Sequence, residues 1–219
     1  MTNSGLDKYT NFLLKRLKER LPGRSAHKLM SPKSNGQTFR NFEPSADASN
    51  SAVLLLITME QDVPEILFTL RSQTLNNHSG QISFPGGRIE NNESIEEAAL
   101  RETNEETGID IKKIRIIGRL STLYVPPSNS IIHPVVGIIK KDDIKITINE
   151  DEVEEVFFTK VTDLLDSDKK FVEKWDFENQ ELDVPLWKIH PTVSLWGATA
   201  MILSEFLVIS KSYFTQKQK

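Results

Sequence analysis

Six glutamates, Glu93, Glu96, Glu97, Glu102, Glu105 and Glu106, gather around a single cation, Arg101, and the run stops at Gly108. On a helix, residues three and four apart share a face, so Glu102, Glu105 and Glu106 are expected to converge into one patch, with Arg101 beside Glu105. Like charges at that spacing cost a helix roughly 0.2 to 0.5 kcal/mol per pair, and acids in the last turn oppose the negative end of the helix dipole. A solvated acidic face is the ordinary explanation of such a run. The chemical explanation is a hard divalent cation such as Mg2+, which takes a few carboxylate oxygens, keeps waters and bridges to substrate phosphates. Held there, it could neutralise a diphosphate, polarise phosphorus and help generate a hydroxide-like nucleophile, while Arg101 restrains one carboxylate through a bidentate ion pair.

The flanking residues predict the elements that must position these side chains. Ser94 with Glu97 makes a capping-box pattern and Gly108 stands where a left-handed residue closes a helix, which predicts a helix over 94–107. Ile95, Ala99 and Thr103, with Leu100 nearby, form the stripe that can pack on a sheet. AVLLLIT (52–58) and EILFTLR (65–71) predict two strands around a polar turn, the first apolar enough to be buried on both faces. KIRIIGRLSTLYV (113–125), IIHPVVGIIKK (131–141) and VEEVFFTKV (153–161) predict further strands, with Pro134 suggesting an edge or a bulge. LDKYTNFLLKRLKERL (6–21) and the segment from Val193 to about Phe214 predict amphipathic or apolar helices at the two ends. Strands, helix, strands, helix in that order predict a mixed sheet held between helices.

Gly87, five residues, Glu93, seven residues, Arg101-Glu102, then Glu105-Glu106 and Gly108-Ile109 is a spacing that resembles the box defining the Nudix hydrolases. Thr103 departs from it, standing where that family has a bulky aliphatic residue. The resemblance implies an α/β fold, an α/β/α sandwich in which this loop-helix-loop binds Mg2+ or Mn2+ and a water attacks a diphosphate linked to a nucleoside. It implies Glu102, Glu105 and Glu106 as metal ligands, Arg101 and Glu93 as residues that orient the helix carboxylates, and Gly87 as the residue of a tight loop before the helix. The general base varies within the family. Glu102 is the first choice and Glu152, in the acidic loop NEDEVEE, the second; an exposed charge at a strand entrance is the competing reading of Glu152.

The upstream stretch LFTLRSQTLNNHSGQISFPGG (67–87) resembles the additional motif of the coenzyme A diphosphatase branch of that family. Arg71-Ser72, Gly80 and Phe84-Pro85-Gly86-Gly87 match it, and Asn76 stands where the branch has arginine. The resemblance implies hydrolysis of coenzyme A or its thioesters to 3',5'-ADP and a 4'-phosphopantetheine product. Candidate substrate contacts are Arg71, Ser72, His78, Gln81 and Arg88. An arginine snorkelling at a strand end and an ordinary loop histidine are the competing readings of Arg71 and His78. Two alternatives stay open: another nucleoside diphosphate derivative such as ADP-ribose, NADH or a nucleoside triphosphate, and a non-catalytic nucleotide-binding module.

With 219 residues, 38% of them hydrophobic, the chain suits one domain with an elaborated edge. The expected division is an N-terminal helix and linker over 1–45 and a hydrolase domain over 46–219. A formal charge of -4 argues against nucleic acid or an anionic membrane as the main partner. A small-molecule substrate is expected, and a homodimer stays open. The absence of cysteine excludes disulfides, thiolate metal sites and a cysteine nucleophile. No apolar run reaches the roughly 18 residues of a membrane span, and the N-terminus lacks a secretory pattern, so a cytoplasmic location is expected.

Overall fold

Strand β1 (Ser49–Glu60) turns into β2 (Val63–Arg71) through Gln61 and Asp62, both with positive φ (49° and 63°). That backbone is the one whose twist matches an antiparallel pair. The structure is a computed structural model that describes residues 4–38, 43–73, 79–177 and 180–216. Before the hairpin come helices α1 (Ser4–Arg16) and α2 (Arg24–His27). After it follow β3 (Ile82–Ser83), β4 (Gly86–Arg88), helix α3 (Ile95–Thr107), β5 (Arg115–Arg119), β6 (Leu123–Val125) and β7 (Ser130–Ile138). The chain continues through β8 (Val153–Lys160), α4 (Val161–Leu165), the hairpin β9 (Lys170–Phe177) and β10 (Gln180–Trp187), and α5 (Gly197–Gln216).

One mixed sheet runs β3-β2-β1-β7-β5, with β8 on β2, β4 on β1 and β6 on β7. Among the described strands only β1 and β7 pair in parallel, from Ser49 with Ser130 to Ile57 with Ile138. β1 and β2 pair over Ile57–Glu60 and then part. β3 follows β2 through Thr69 and Leu70, β4 follows β1 through Ser51, Ala52 and Val53, and Leu54 N donates to Pro85 O across the opening. The Phe84-Pro85 step is thus driven like a wedge between the two strands.

The near-continuous apolar run of β1 serves two cores, as a strand covered on both faces must. Leu55 and Ile57 join Ile66, Phe68, Tyr9, Leu13, Leu203 and Phe206 on the face covered by α1 and α5. Leu54 and Leu56 join Leu67, Ala98, Ala99 and Ile109 on the face covered by α3. The expected α/β/α sandwich around a mixed sheet is the observed one. Tyr9 Oη lies 2.8 Å from Ser210 Oγ, and its ring meets that of Tyr213 edge-on at 4.9 Å, which docks α1 on α5.

Four expectations are corrected. Residues 113–125 form two strands, not one, because β5 bulges between Ile116 and Gly118 and the chain then breaks after Arg119. Pro134 lies inside the sheet, at neither an edge nor a bulge. It faces the gap between β5 and β6, where it donates nothing to the ladder and its carbonyl accepts from Leu120 N. The last helix starts at Gly197, since Leu195 is extended and exchanges backbone hydrogen bonds with Trp187. The first ends at Arg16 instead of Leu21. The hairpin β9-β10 was not expected at all. No described helix is long and apolar enough to cross a membrane.

Candidate active site

The loop-helix-loop forms as its residues dictate. Ser94 accepts from Glu97 N and Glu97 accepts from Ser94 N, a complete capping box, and Gly108 closes the helix at φ 70°. Thr103, the departure from the family box, is fully buried and its hydroxyl donates to Ala99 O at 2.7 Å. Back-bonding lets a small polar side chain occupy an apolar position.

Three carboxylates were expected in one patch, and the structure separates them by depth. The Glu106 side chain is 1% exposed, Glu102 15% and Glu105 52%. Glu106 therefore belongs to the buried stripe with Ala99, Thr103 and Thr107, and Glu105 to the solvent side. Among the described residues no group of three acids or histidines is closed tightly enough to hold a metal as it stands. Arg101 explains much of this arrangement. Its Nε and Nη2 donate to the two oxygens of Glu93 at 2.8 and 3.1 Å, its Nη1 donates to Glu102 and Glu105 at 2.9 Å each, and Nη2 reaches Arg88 O at 3.1 Å. The guanidinium thus restrains three carboxylates where one was expected. The bidentate partner is Glu93, whose carboxyl is held below its usual range by that hydrogen bond.

Glu102, Glu106 and Glu152 form the acidic interior of the site. Burial pushes the Glu106 carboxyl up to about 8; the charge of Arg71 opposes this, while Glu102 and Glu152 reinforce it. Burial also raises Glu102, against the hydrogen bond and charge of Arg101, with Glu105 and Glu152 adding repulsion. Glu152, the second choice of base, thus lies within electrostatic reach of both helix carboxylates. Glu106 Oε2 is buried without a hydrogen-bond partner among the described residues. A hard cation suits this donor set: carboxylate oxygens only, one of them orphaned, raising one another's proton affinity.

Of the substrate candidates, Arg71 ends β2 with Nη1 3.7 Å from Glu106 Oε1. Ser72 is buried and its N–H donates to Glu152 O; Gln81 O accepts from Arg71 N. The Arg88 side chain is exposed. His78 and Asn76 lie outside the described residues. The upstream motif and the box therefore meet at Arg71 and Glu106. Sequence reasoning missed a second buried charge, Glu205, which accepts from Gly23 N, Ser121 N and Ser121 Oγ at 2.7 to 3.0 Å and faces His27 Nε2 at 3.2 Å. Its signal was a lone acid in the apolar run of α5.

Comparison with known proteins agrees with this geometry. The NUDIX domain family matches residues 48–178, more than half of the chain. Nudix hydrolase 3 of Caenorhabditis elegans is 30% identical over 178 residues, covering 75% of this chain and 74% of that protein. The mitochondrial coenzyme A diphosphatase NUDT8 of Homo sapiens is 31% identical over 163 residues, covering 72% and 67%. A NudL Nudix hydrolase of Klebsiella pneumoniae is 33% identical over 171 residues, covering 74% and 85%. With the box complete in charge and the fold assembled around it, the chain belongs to the Nudix hydrolases, enzymes that cleave diphosphate bonds.

Proposed function

We propose that this chain hydrolyses the diphosphate of coenzyme A or its thioesters, giving 3',5'-ADP and a 4'-phosphopantetheine product. The observation that carries the reading is the junction of the upstream motif with the box, Arg71 against Glu106 at 3.7 Å. The human relative's name, a coenzyme A diphosphatase, supports the same branch.

In this reading Glu102, Glu105 and Glu106 hold Mg2+ or Mn2+, which when bound supplies charge neutralisation at the diphosphate and an acidified water. The chain's own residues do the rest. Arg101, anchored by Glu93, sets the directions of Glu102 and Glu105. Glu102, or Glu152 in its place, takes the proton of the attacking water as a P–O bond forms to one phosphorus and the bridging P–O bond breaks. Arg71, Ser72, Gln81 and Arg88 are the residues assigned in this reading to meet the nucleotide. A cytoplasmic site of action completes the proposal.

Asn76 favours a second reading, in which the substrate is another nucleoside diphosphate derivative without a 3'-phosphate. Mass spectrometry of products formed with Mg2+ or Mn2+ from a competing mixture of coenzyme A, ADP-ribose, NADH and nucleoside triphosphates tests both. Metal-dependent 3',5'-ADP ahead of all other products is expected; intact coenzyme A beside another cleaved diphosphate overturns the first reading in favour of the second.

A further inference from the structure

The Arg71 guanidinium and the Glu106 carboxyl face each other without a hydrogen bond. Their nearest atoms are 3.7 Å apart, beyond the 2.7 to 2.9 Å or so of a charge-assisted bond. Arg71 Nε and Glu106 Oε2 are both buried and without hydrogen-bond partners among the described residues. The backbone holds Arg71 firmly, through Arg71 N to Gln81 O, Gly80 N to Arg71 O and the pairing with Val153. Its side chain is thus a guanidinium with donors to spare, aimed at a carboxylate that has an acceptor to spare. Glu102 and Glu152 repel the charge on Glu106, and Arg71 relieves it.

We propose that Arg71 is the resident counter-cation of the metal site, weakening divalent-metal binding to the free enzyme until a diphosphate draws the guanidinium away. A dication at Glu106 meets twice the repulsion from Arg71 that a proton meets, so the arginine lowers metal affinity even when protons compete for the carboxylate. Diphosphate oxygens offer the planar fork the two-point contact that Glu106 does not give it. Metal and substrate then assist each other, since a coupling free energy acts equally in both directions. The inference rests on the reading of Glu102 and Glu106 as metal ligands.

Calorimetric titration of Mn2+ alone, at one fixed pH, into the wild type, Arg71→Met, Arg71→Lys and Glu106→Gln tests it without turnover. Arg71→Met, close in volume and uncharged, is expected to bind Mn2+ roughly ten-fold tighter, because an adjacent guanidinium alters a carboxylate's cation affinity by about one to three decades. Arg71→Lys keeps the charge and stays near the wild type, an outcome that a purely structural role does not produce. Mn2+ binding that Glu106→Gln weakens but Arg71→Met leaves unchanged or weaker overturns the inference alone. A wild type that binds no Mn2+ overturns the ligand reading, and the inference with it. Circular dichroism of each variant checks that it is folded, and Arg71→Gln replaces Arg71→Met if the latter is not.

Discussion

Gly87 sits against the Glu102 carboxylate so closely that a methyl group on its Cα would lie 2.4 Å from Oε1. No side chain fits there while Arg101 Nη1 holds Glu102 Oε1 at 2.9 Å. Gly87→Ala is therefore expected to move the carboxylate by about an ångström, a displacement that costs a catalytic constellation about a hundred-fold in rate. Thermal stability should change little, because the obstacle is the far end of a side chain. Steady-state kinetics beside thermal melts check this, and normal turnover would show that Glu102 has room to spare.

Glu106→Gln is expected to lose turnover by ~100-fold or more at saturating metal, as several kcal/mol of charge stabilisation disappear. In metal-free buffer the sign reverses for stability. The Glu106 carboxyl titrates near 8 when folded against an ordinary value of 4.5 unfolded, so between those values the folded state binds the extra proton. Stability of the wild type should fall as pH rises through that window, by up to about 1.4 kcal/mol per pH unit. Urea melts with chelator at several pH values should show the slope in the wild type and a shallower one in Glu106→Gln; parallel slopes would exclude Glu106 as its source.

Glu205→Ala should unfold more easily by roughly 3 to 5 kcal/mol, since it strands His27, Ser121 and the Gly23 N–H inside the fold. Burial pushes the Glu205 carboxyl up, but hydrogen bonds from His27, Ser121 and Gly23 outweigh that and hold it below its usual range. Glu205 faces the core on the α1 and α5 side of the sheet, so turnover per folded molecule should stay within about two-fold. Active-site titration of the folded fraction separates the two effects, and a destabilisation under about 1 kcal/mol would mean the cluster is dispensable.

Asn76→Arg restores the cation of the branch motif. The ratio of kcat/KM for coenzyme A to that for its dephospho form is expected to rise roughly ten-fold or more, from a charge-assisted contact worth about 1.5 to 3 kcal/mol. An unchanged ratio would show that position 76 does not read the 3'-phosphate.

Local signals carried far in this chain. The capping box at Ser94 and Glu97, the stop at Gly108 and the two-faced apolar run of β1 all exist because neighbouring residues specify them. What escaped depends on distance along the chain. Glu106 continues the stripe of Ala99 and Thr103 by one turn, but its charge disguised it as a surface residue, and Arg71 approaches it across 35 positions, which helical spacing does not encode. β9 has charges on both faces, Glu173 on one and Lys170, Lys174 and Asp176 on the other, which hid it, although β10 alternates Leu182, Val184 and Leu186 with Glu181 and Asp183 as a strand should. Leu195 left the helical pattern because Trp187 captured its backbone.

The wedge at Phe84-Pro85 has one more consequence. Arg71 N donates to Gln81 O and Gly80 N donates to Arg71 O, so residues 71 and 80–81 are joined beside it, and from that joint Arg71 faces Glu106 of α3. Lengthening the connection between those joined ends adds loop-closure entropy of about 0.6 kcal/mol per doubling of length. A change of length there leaves the joint of Arg71, Gly80 and Gln81 in place, so the connection can vary while the approach of Arg71 to Glu106 stands.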